Sequence, residues 1–239
     1  EQAYLTEHQG VTLQGAILAG GDRLYIPQGR AAPITLNQND GKKTGTIGQA
    51  GGTFCLLTED NQLIAGPPNQ KERDEQLRIA DPKSGKRLTT FNNTTRVVVT
   101  EGKAYLHSID NLQCLDLTRK AQLETLLNTQ RAALKNLDPK VETTLDQIEA
   151  LKKEISKLQT QIKSCLLWTI DHPAPFELVV AGDQLIVGLD NQVSILSTKT
   201  GKSLWQAPVK GKSYGITAAE GRLIVSTDLG YIHTFHFKP

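Results

Sequence analysis

The chain has 239 residues, 27 of them basic and 25 acidic, so its net charge is only +2. That balance excludes bulk electrostatic attraction to nucleic acid or to an anionic membrane surface. No apolar run is long enough to cross a bilayer as a helix, while the length suffices for one large all-β domain or two smaller ones.

The first apolar-patterned segment, Ala3–His8, stands ahead of any repeat. From Gly15 onward one phrase recurs five times: an apolar run, a tight polar turn, and a second apolar run. The turns are Gly21-Asp22-Arg23, Asp60-Asn61-Gln62, Glu101-Gly102-Lys103, Gly182-Asp183-Gln184 and Glu220-Gly221-Arg222. Asp22 to Asn61 is 39 residues, Asn61 to Gly102 is 41, and Gly182 to Gly221 is 39. A period of about 40 residues lies in the range of propeller blades. Gly102 to Gly182 is 80, one repeat plus an insertion of similar length.

Each repeat reads as short antiparallel strands rich in Val, Ile and Leu, separated by Gly, Asp and Asn pairs that favour hairpin turns. The first blade is Gly15–Leu18, Arg23–Ile26 and Pro33–Leu36, followed by a Gly41-Lys42 turn. The second is Thr53–Leu57, Gln62–Ala65 and Gln76–Ala80, then a last strand to Phe91, with a long polar loop over Pro67–Glu75. The third is Arg96–Thr100, Ala104–Ser108 and Leu112–Leu117. The fourth, clearest in pattern, is Phe176–Ala181, Gln184–Gly188, Gln192–Ser197 and Ser203–Gln206. The last is Tyr214–Ala218, Arg222–Ser226 and Tyr231–Phe237, with no fourth strand after it. Two arrangements stay open here. Ala3–His8 supplies the missing outer strand and closes a ring, or the chain is part of a larger propeller.

The expected architecture is therefore an all-β propeller of about five four-stranded blades, divided as 1–118, an insertion at 119–164, and 165–239. The insertion holds no Gly and one Pro, and is rich in Leu, Lys, Gln, Glu and Ala, all good helix formers. Asp138-Pro139 fits a break between two helices, with Asp138 capping the second. Val141, Leu145, Ile148, Leu151, Ile155, Leu158 and Ile162 make a heptad-like stripe, and Leu123, Leu127, Leu134 and Leu137 a gappier partner. The pattern predicts an antiparallel coiled-coil hairpin whose longer arm, about 24 residues, reaches about 36 Å. With nine basic residues against six acidic, its excess is mild. Arg131, Lys135, Lys140, Lys152 and Lys153 are its candidate contact residues, and the alternative is a surface ornament with no partner.

Cys114 and Cys165 flank the insertion, where they either bridge at its base or stay separate buried thiols, while Cys55 reads as core. Three cysteines permit at most one bridge. The histidines give no metal motif: His233 and His236 fall on opposite faces of a strand, and His8, His107 and His172 are isolated in sequence. No phosphate loop, dinucleotide fingerprint or nucleophile elbow occurs. With Glu at position 1 and no Met, the sequence reads as a mature exported protein or a piece of a longer one.

The fourth repeat, with Val179–Gly188, Val193-Ser194-Ile195-Leu196 and Thr200-Gly201-Lys202-Ser203-Leu204-Trp205, resembles the pyrroloquinoline-quinone-like β-propeller repeat. Quinoprotein dehydrogenases and the outer-membrane assembly lipoprotein of Gram-negative bacteria share that repeat. Together with Tyr25–Arg30 and the helical insertion, the arrangement also looks like part of large multidomain planctomycete-type proteins. The resemblance covers nearly the whole chain outside the insertion. It implies that Trp168 and Trp205 occupy a blade-docking position, and it implies a bacterial periplasmic or extracellular location. The dehydrogenases carry a vicinal cysteine pair, a Trp floor under the quinone and a calcium site; this sequence has no Cys-Cys, and five repeats rather than eight. No catalytic residue is carried over. The expected function is a non-catalytic interaction module with a contact arm for another protein, another domain or a second copy. The competing expectation is a redox domain holding pyrroloquinoline quinone or a metal in a central channel.

Overall fold

The computed structural model describes residues 13, 15–29, 31–48, 50–58, 61–66, 76–85, 87–138 and 144–237. The segment Ala3–His8, the loop Pro67–Glu75 and the stretch from Pro139 to Thr143 lie outside the described residues. The chain forms two compact units, Glu1–Thr95 and Arg96–Pro239.

The first unit holds two four-stranded antiparallel meanders. One is β1 (Leu18–Gly20), β2 (Arg23–Gln28), β3 (Ala31–Asn37) and β4 (Lys43–Thr46); the other is β5 (Gly51–Leu57), β6 (Leu63–Gly66), β7 (Gln76–Ala80) and β8 (Arg87–Asn92). Their facing residues Tyr25, Ile47, Leu63, Ala65 and Ala80 form one buried cluster, with Leu18, Cys55 and Leu57 packed against it. Each fully buried aliphatic side chain there contributes about 1.5–3 kcal/mol relative to exposure.

β9 (Thr94–Thr100) begins in the last residues of the first unit and runs into the second, where β10 (Lys103–Ser108) and β11 (Asn111–Asp116) follow. Two helices follow, α1 (Leu117–Lys135) and α2 (Leu145–Lys163), before β12 (Leu166–Asp171) completes the sheet beside β11. Then come β13 (Glu177–Ala181), β14 (Gln184–Gly188), β15 (Asp190–Ser197), β16 (Ser203–Ala219), β17 (Arg222–Thr227) and β18 (Ile232–His236). Tyr105, Leu112 and Cys114 of the first of these sheets bury against Leu178, Leu185, Val187 and Leu196 of the next. On the opposite face of that second sheet Ile186, Val193 and Ile195 pack with Val209, Leu223 and Val225.

Two expected boundaries are corrected. The outer strand of the fourth repeat and the first strand of the last are not separate: β16 is one continuous 17-residue strand. Its first half pairs with β15 and its second with β17, giving a six-stranded sheet. The third strand of the third repeat ends at Asp116, because Leu117 and Thr118 already belong to α1.

The repetition persists at the level of register. In each of four outer pairings the ladder shifts at an equivalent place: between Thr35 and Leu36, Ile79 and Ala80, Cys114 and Leu115, and Ile195 and Leu196, the last pairing having a second shift between Asp190 and Gln192. The outer-strand residues just before those shifts are Gly45, Thr89, Trp168 and Trp205. Equivalent positions therefore follow from hydrogen bonding as well as from sequence.

Candidate interaction arm

The helical insertion is built on a bond that two of the other repeats also make. In the first sheet Asn37 N–H donates to the Lys42 carbonyl at 2.8 Å, and in the fourth repeat Ser197 N–H donates to Lys202 at 2.9 Å. Each bond closes a turn of four residues, 38–41 and 198–201. In the third repeat the equivalent bond runs from Asp116 N–H to the Cys165 carbonyl at 2.8 Å. Forty-eight residues, 117–164, replace four without opening that bond. The Leu117 N–H also keeps its bond to the Gly102 carbonyl at 2.9 Å, as Thr198 does to Asp183 at 3.0 Å.

Asp116 does two jobs at this root. Its backbone closes the strand ladder, and its carboxylate accepts the Arg119 N–H at 2.9 Å, capping α1. Asp116→Ala is expected to cost about 1 kcal/mol and to lower helical ellipticity at 222 nm in a thermal melt. Asp116→Asn should recover most of the loss, because an amide oxygen caps as well.

α1 and α2 are each 19 residues, about 28 Å long at 1.5 Å per residue. They pack on each other and return to adjacent, hydrogen-bonded strands, so they run antiparallel. The expected longer arm of about 24 residues is thus shortened: α2 starts at Leu145, with Thr144 at its N-cap. Asp138 is not that cap; its carbonyl accepts the Thr144 hydroxyl at 2.7 Å. Leu117 and Leu127 of α1 and Ile148 and Leu158 of α2 are buried, while Leu151, Ile155 and Ile162 are half-buried. Among the described residues the apolar stripe is consumed within the hairpin, except that Leu145 stands exposed at the start of α2. Leu126, outside the stripe, is exposed on α1.

Arg131, Lys135, Lys152 and Lys153 are all exposed; Lys140 lies outside the described residues. Arg131 and Lys135 are one turn apart and share a face near the far end of α1. Lys152 and Lys153 lie about 10 Å along α2, and the 100° rotation per residue turns them in different directions. Nearer the root, Lys120 pairs with Glu124, and on α2 Lys157 pairs with Glu154 at 3.7 Å.

Trp168 and Trp205 are both half-buried. Trp168 Nε1–H donates to the Thr198 carbonyl at 2.9 Å, and its ring lies 6.2 Å from that of Tyr105. Trp205 makes edge contacts with Phe235 and Phe237, with centroids 5.1 and 5.2 Å apart.

Cys114 and Cys165 are free thiols, so the bridge left open at the hairpin's base is not formed. Register explains it: Trp168 stands opposite Cys114 and Leu166 opposite Leu115, leaving Cys165 beyond the end of the ladder. The Cys165 thiol instead lies 3.5 Å from the Gln161 carbonyl. Burial pushes the Cys114 thiol up to about 11 and that of Cys55 to about 12, away from the reactive thiolate range.

His107 and His172, 65 residues apart, meet in the fold, a pairing no sequence spacing signals. The His107 Nε2–H donates to the His172 carbonyl at 3.0 Å, and burial lowers the His172 pKa. His233 and His236 alternate across β18 as expected, with His233 Nε2 accepting the Lys210 N–H at 3.1 Å. Among the described residues no group of three or more His, Cys, Asp or Glu is placed to hold a metal. No described helix is long and apolar enough to cross a membrane.

No family model and no curated protein matches this sequence. Among solved structures it is similar to the crystal structure of BamB from Moraxella catarrhalis. The identity is 13% over 92% of this chain and 71% of that chain, with a TM-score of 0.47.

Proposed function

We propose that this chain is a non-catalytic interaction module in which blade-like sheets form a propeller platform and the hairpin is a coiled-coil contact arm. One observation carries the reading: 48 residues replace a four-residue turn while the closing bond from Asp116 to Cys165 is kept. A loop extension costs little entropy to the scaffold, but two helices that bury a shared stripe present a stiff, defined surface to solvent. Arg131 and Lys135, near the far end, and the exposed Leu126 supply charge and apolar area on that surface. The partner is another protein, another domain of the same polypeptide, or a second copy, in a bacterial periplasmic or extracellular setting.

The test replaces residues 117–164 with Thr-Lys-Thr-Gly, the turn found at 198–201. Far-UV dichroism should lose its helical component, and the β signal and its melting transition should remain. Sedimentation velocity and affinity capture, run on the intact and turn-replaced chains, should then differ in oligomeric state or in a specific partner. Identical behaviour of the two proteins in both measurements would end the contact-arm reading.

A further inference from the structure

All sheet edges among the described residues but one are guarded. β1 is three residues long, β4 and β5 are broken by register shifts, and β8, β9, β12 and β13 carry Arg87, Arg96, Asp171 and Glu177. Short length, irregularity and charge are the usual means of keeping an edge from pairing with another chain. β18, Ile-His-Thr-Phe-His, has none of these: its five residues hold an unbroken register with β17 and include no Lys, Arg, Asp, Glu, Gly or Pro.

The ladder shows which of its backbone groups stay open. Thr227 N–H donates to the Tyr231 carbonyl and Phe237 N–H to the Gly221 carbonyl, at 3.0 and 2.9 Å. Alternation in an antiparallel pair therefore turns the backbone groups of residues 231, 233, 235 and 237 toward β17. The N–H and C=O groups of Ile232, Thr234 and His236 point away from it, and no described strand lies on that side. All three residues are exposed, Ile232 by 73%. Donors and acceptors spaced in this way fit an extended strand.

The side chains indicate whose strand it is. Set antiparallel to a second copy of itself about Thr234, β18 places Thr234 opposite Thr234, Ile232 opposite His236, His233 opposite Phe235, and Tyr231 opposite Phe237. Thr–Thr and aromatic pairs are favourable cross-strand neighbours, and no two like charges meet. Tyr231 and Phe237, both exposed at the ends of the strand, each gain an aromatic partner. A two-fold pairing closes on itself. At the other edge of the sheet Glu177 guards β13, so the pairing stops at two copies.

We propose that β18 is a homodimerisation edge: two copies of the chain join their six-stranded sheets through antiparallel pairing of β18, with the two-fold axis at Thr234. The surface is separate from the helical arm, and its failure leaves the arm's role untouched.

Sedimentation velocity of the full chain over a concentration series should show a monomer–dimer equilibrium, retained when Thr-Lys-Thr-Gly replaces residues 117–164. Amide exchange should show protection gained with concentration at Ile232, Thr234 and His236, with His233 and Phe235 protected throughout. Thr234→Pro removes an outward N–H that β17 does not use, so the fold should persist. Dimerisation should weaken at least about tenfold. Should that variant misfold, Thr234→Lys and Thr234→Asp decide. Each alone sets like charges face to face and should be monomeric, whereas an equimolar mixture of the two should recover the dimer. A monomer at every concentration overturns the proposal, even with the three amides protected, since another segment of the same chain would then cover the edge. A dimer that is lost with the arm, or that is indifferent to the substitutions at Thr234, overturns it as well.

Discussion

Trp168→Ala should lower the stability of the second unit by about 3 kcal/mol, toward the lower end for removing a large buried aromatic. The ring is half-buried, yet it makes three contacts on two segments: the Tyr105 ring, and Gly201 and the Thr198 carbonyl of the 198–201 turn. Truncation leaves a gap between two sheets whose backbones cannot close on it, and strands a carbonyl. For a unit of this size the melting temperature should fall by about 10 °C. Trp168→Phe separates the two losses. It keeps most of the ring and removes the donor, so it should cost about 1 kcal/mol. Thermal melts followed by dichroism measure both, and equal effects of Ala and Phe would show that packing contributes nothing.

Gly188→Ala is expected to cost about 2 kcal/mol, although one methyl group is all it adds. The added Cβ would lie 2.5 Å from the Ser213 carbonyl oxygen and 2.9 Å from the Ser213 Cβ. That neighbour cannot yield: Ser213 is fully buried, its N–H donates to the Leu189 carbonyl at 3.1 Å, and its hydroxyl donates to the Gln192 carbonyl at 3.2 Å. Either β14 or β16 must move, and both are ladder strands. Gly48→Ala is the control, since no described atom is within 4 Å of its Cβ and its backbone is ordinary. It should change stability by no more than about 0.5 kcal/mol. Urea titrations of both variants give the comparison, and a neutral Gly188→Ala would mean the strands slide more freely than their bonding implies.

The turns were legible in the sequence because hairpins need positive φ, and few residues accept it. Gly21, Gly182, Glu101-Gly102 and Glu220-Gly221 all stand in that region, where their composition placed them. The helices were legible because a stripe of Ile and Leu at heptad spacing has no counterpart in the strands. Other features had no such local signature. β4 is a short polar edge strand, Lys43–Thr46, whose existence depends on its pairing with β3. β16 contains Pro208 and Gly211, which read as breaks, yet the strand continues through both because it has partners on two sides in turn. The equivalence of Lys-Thr-Gly-Thr at 43–46 with Leu-Leu-Trp-Thr at 166–169 was hidden for a different reason: only the ladder's register aligns a glycine with a tryptophan.

The uninterrupted β16 also bears on how the chain comes apart. A strand that pairs with β15 over its first half and with β17 over its second cannot be released from one without fraying the other, so β17 and β18 are tied to β13–β15 by backbone hydrogen bonds as well as by side-chain packing. In hydrogen exchange, the amides of Ile216 and Val225 should therefore open together with those of Leu185 and Ile195 as one cooperative block. The last three strands belong thermodynamically to the sheet before them.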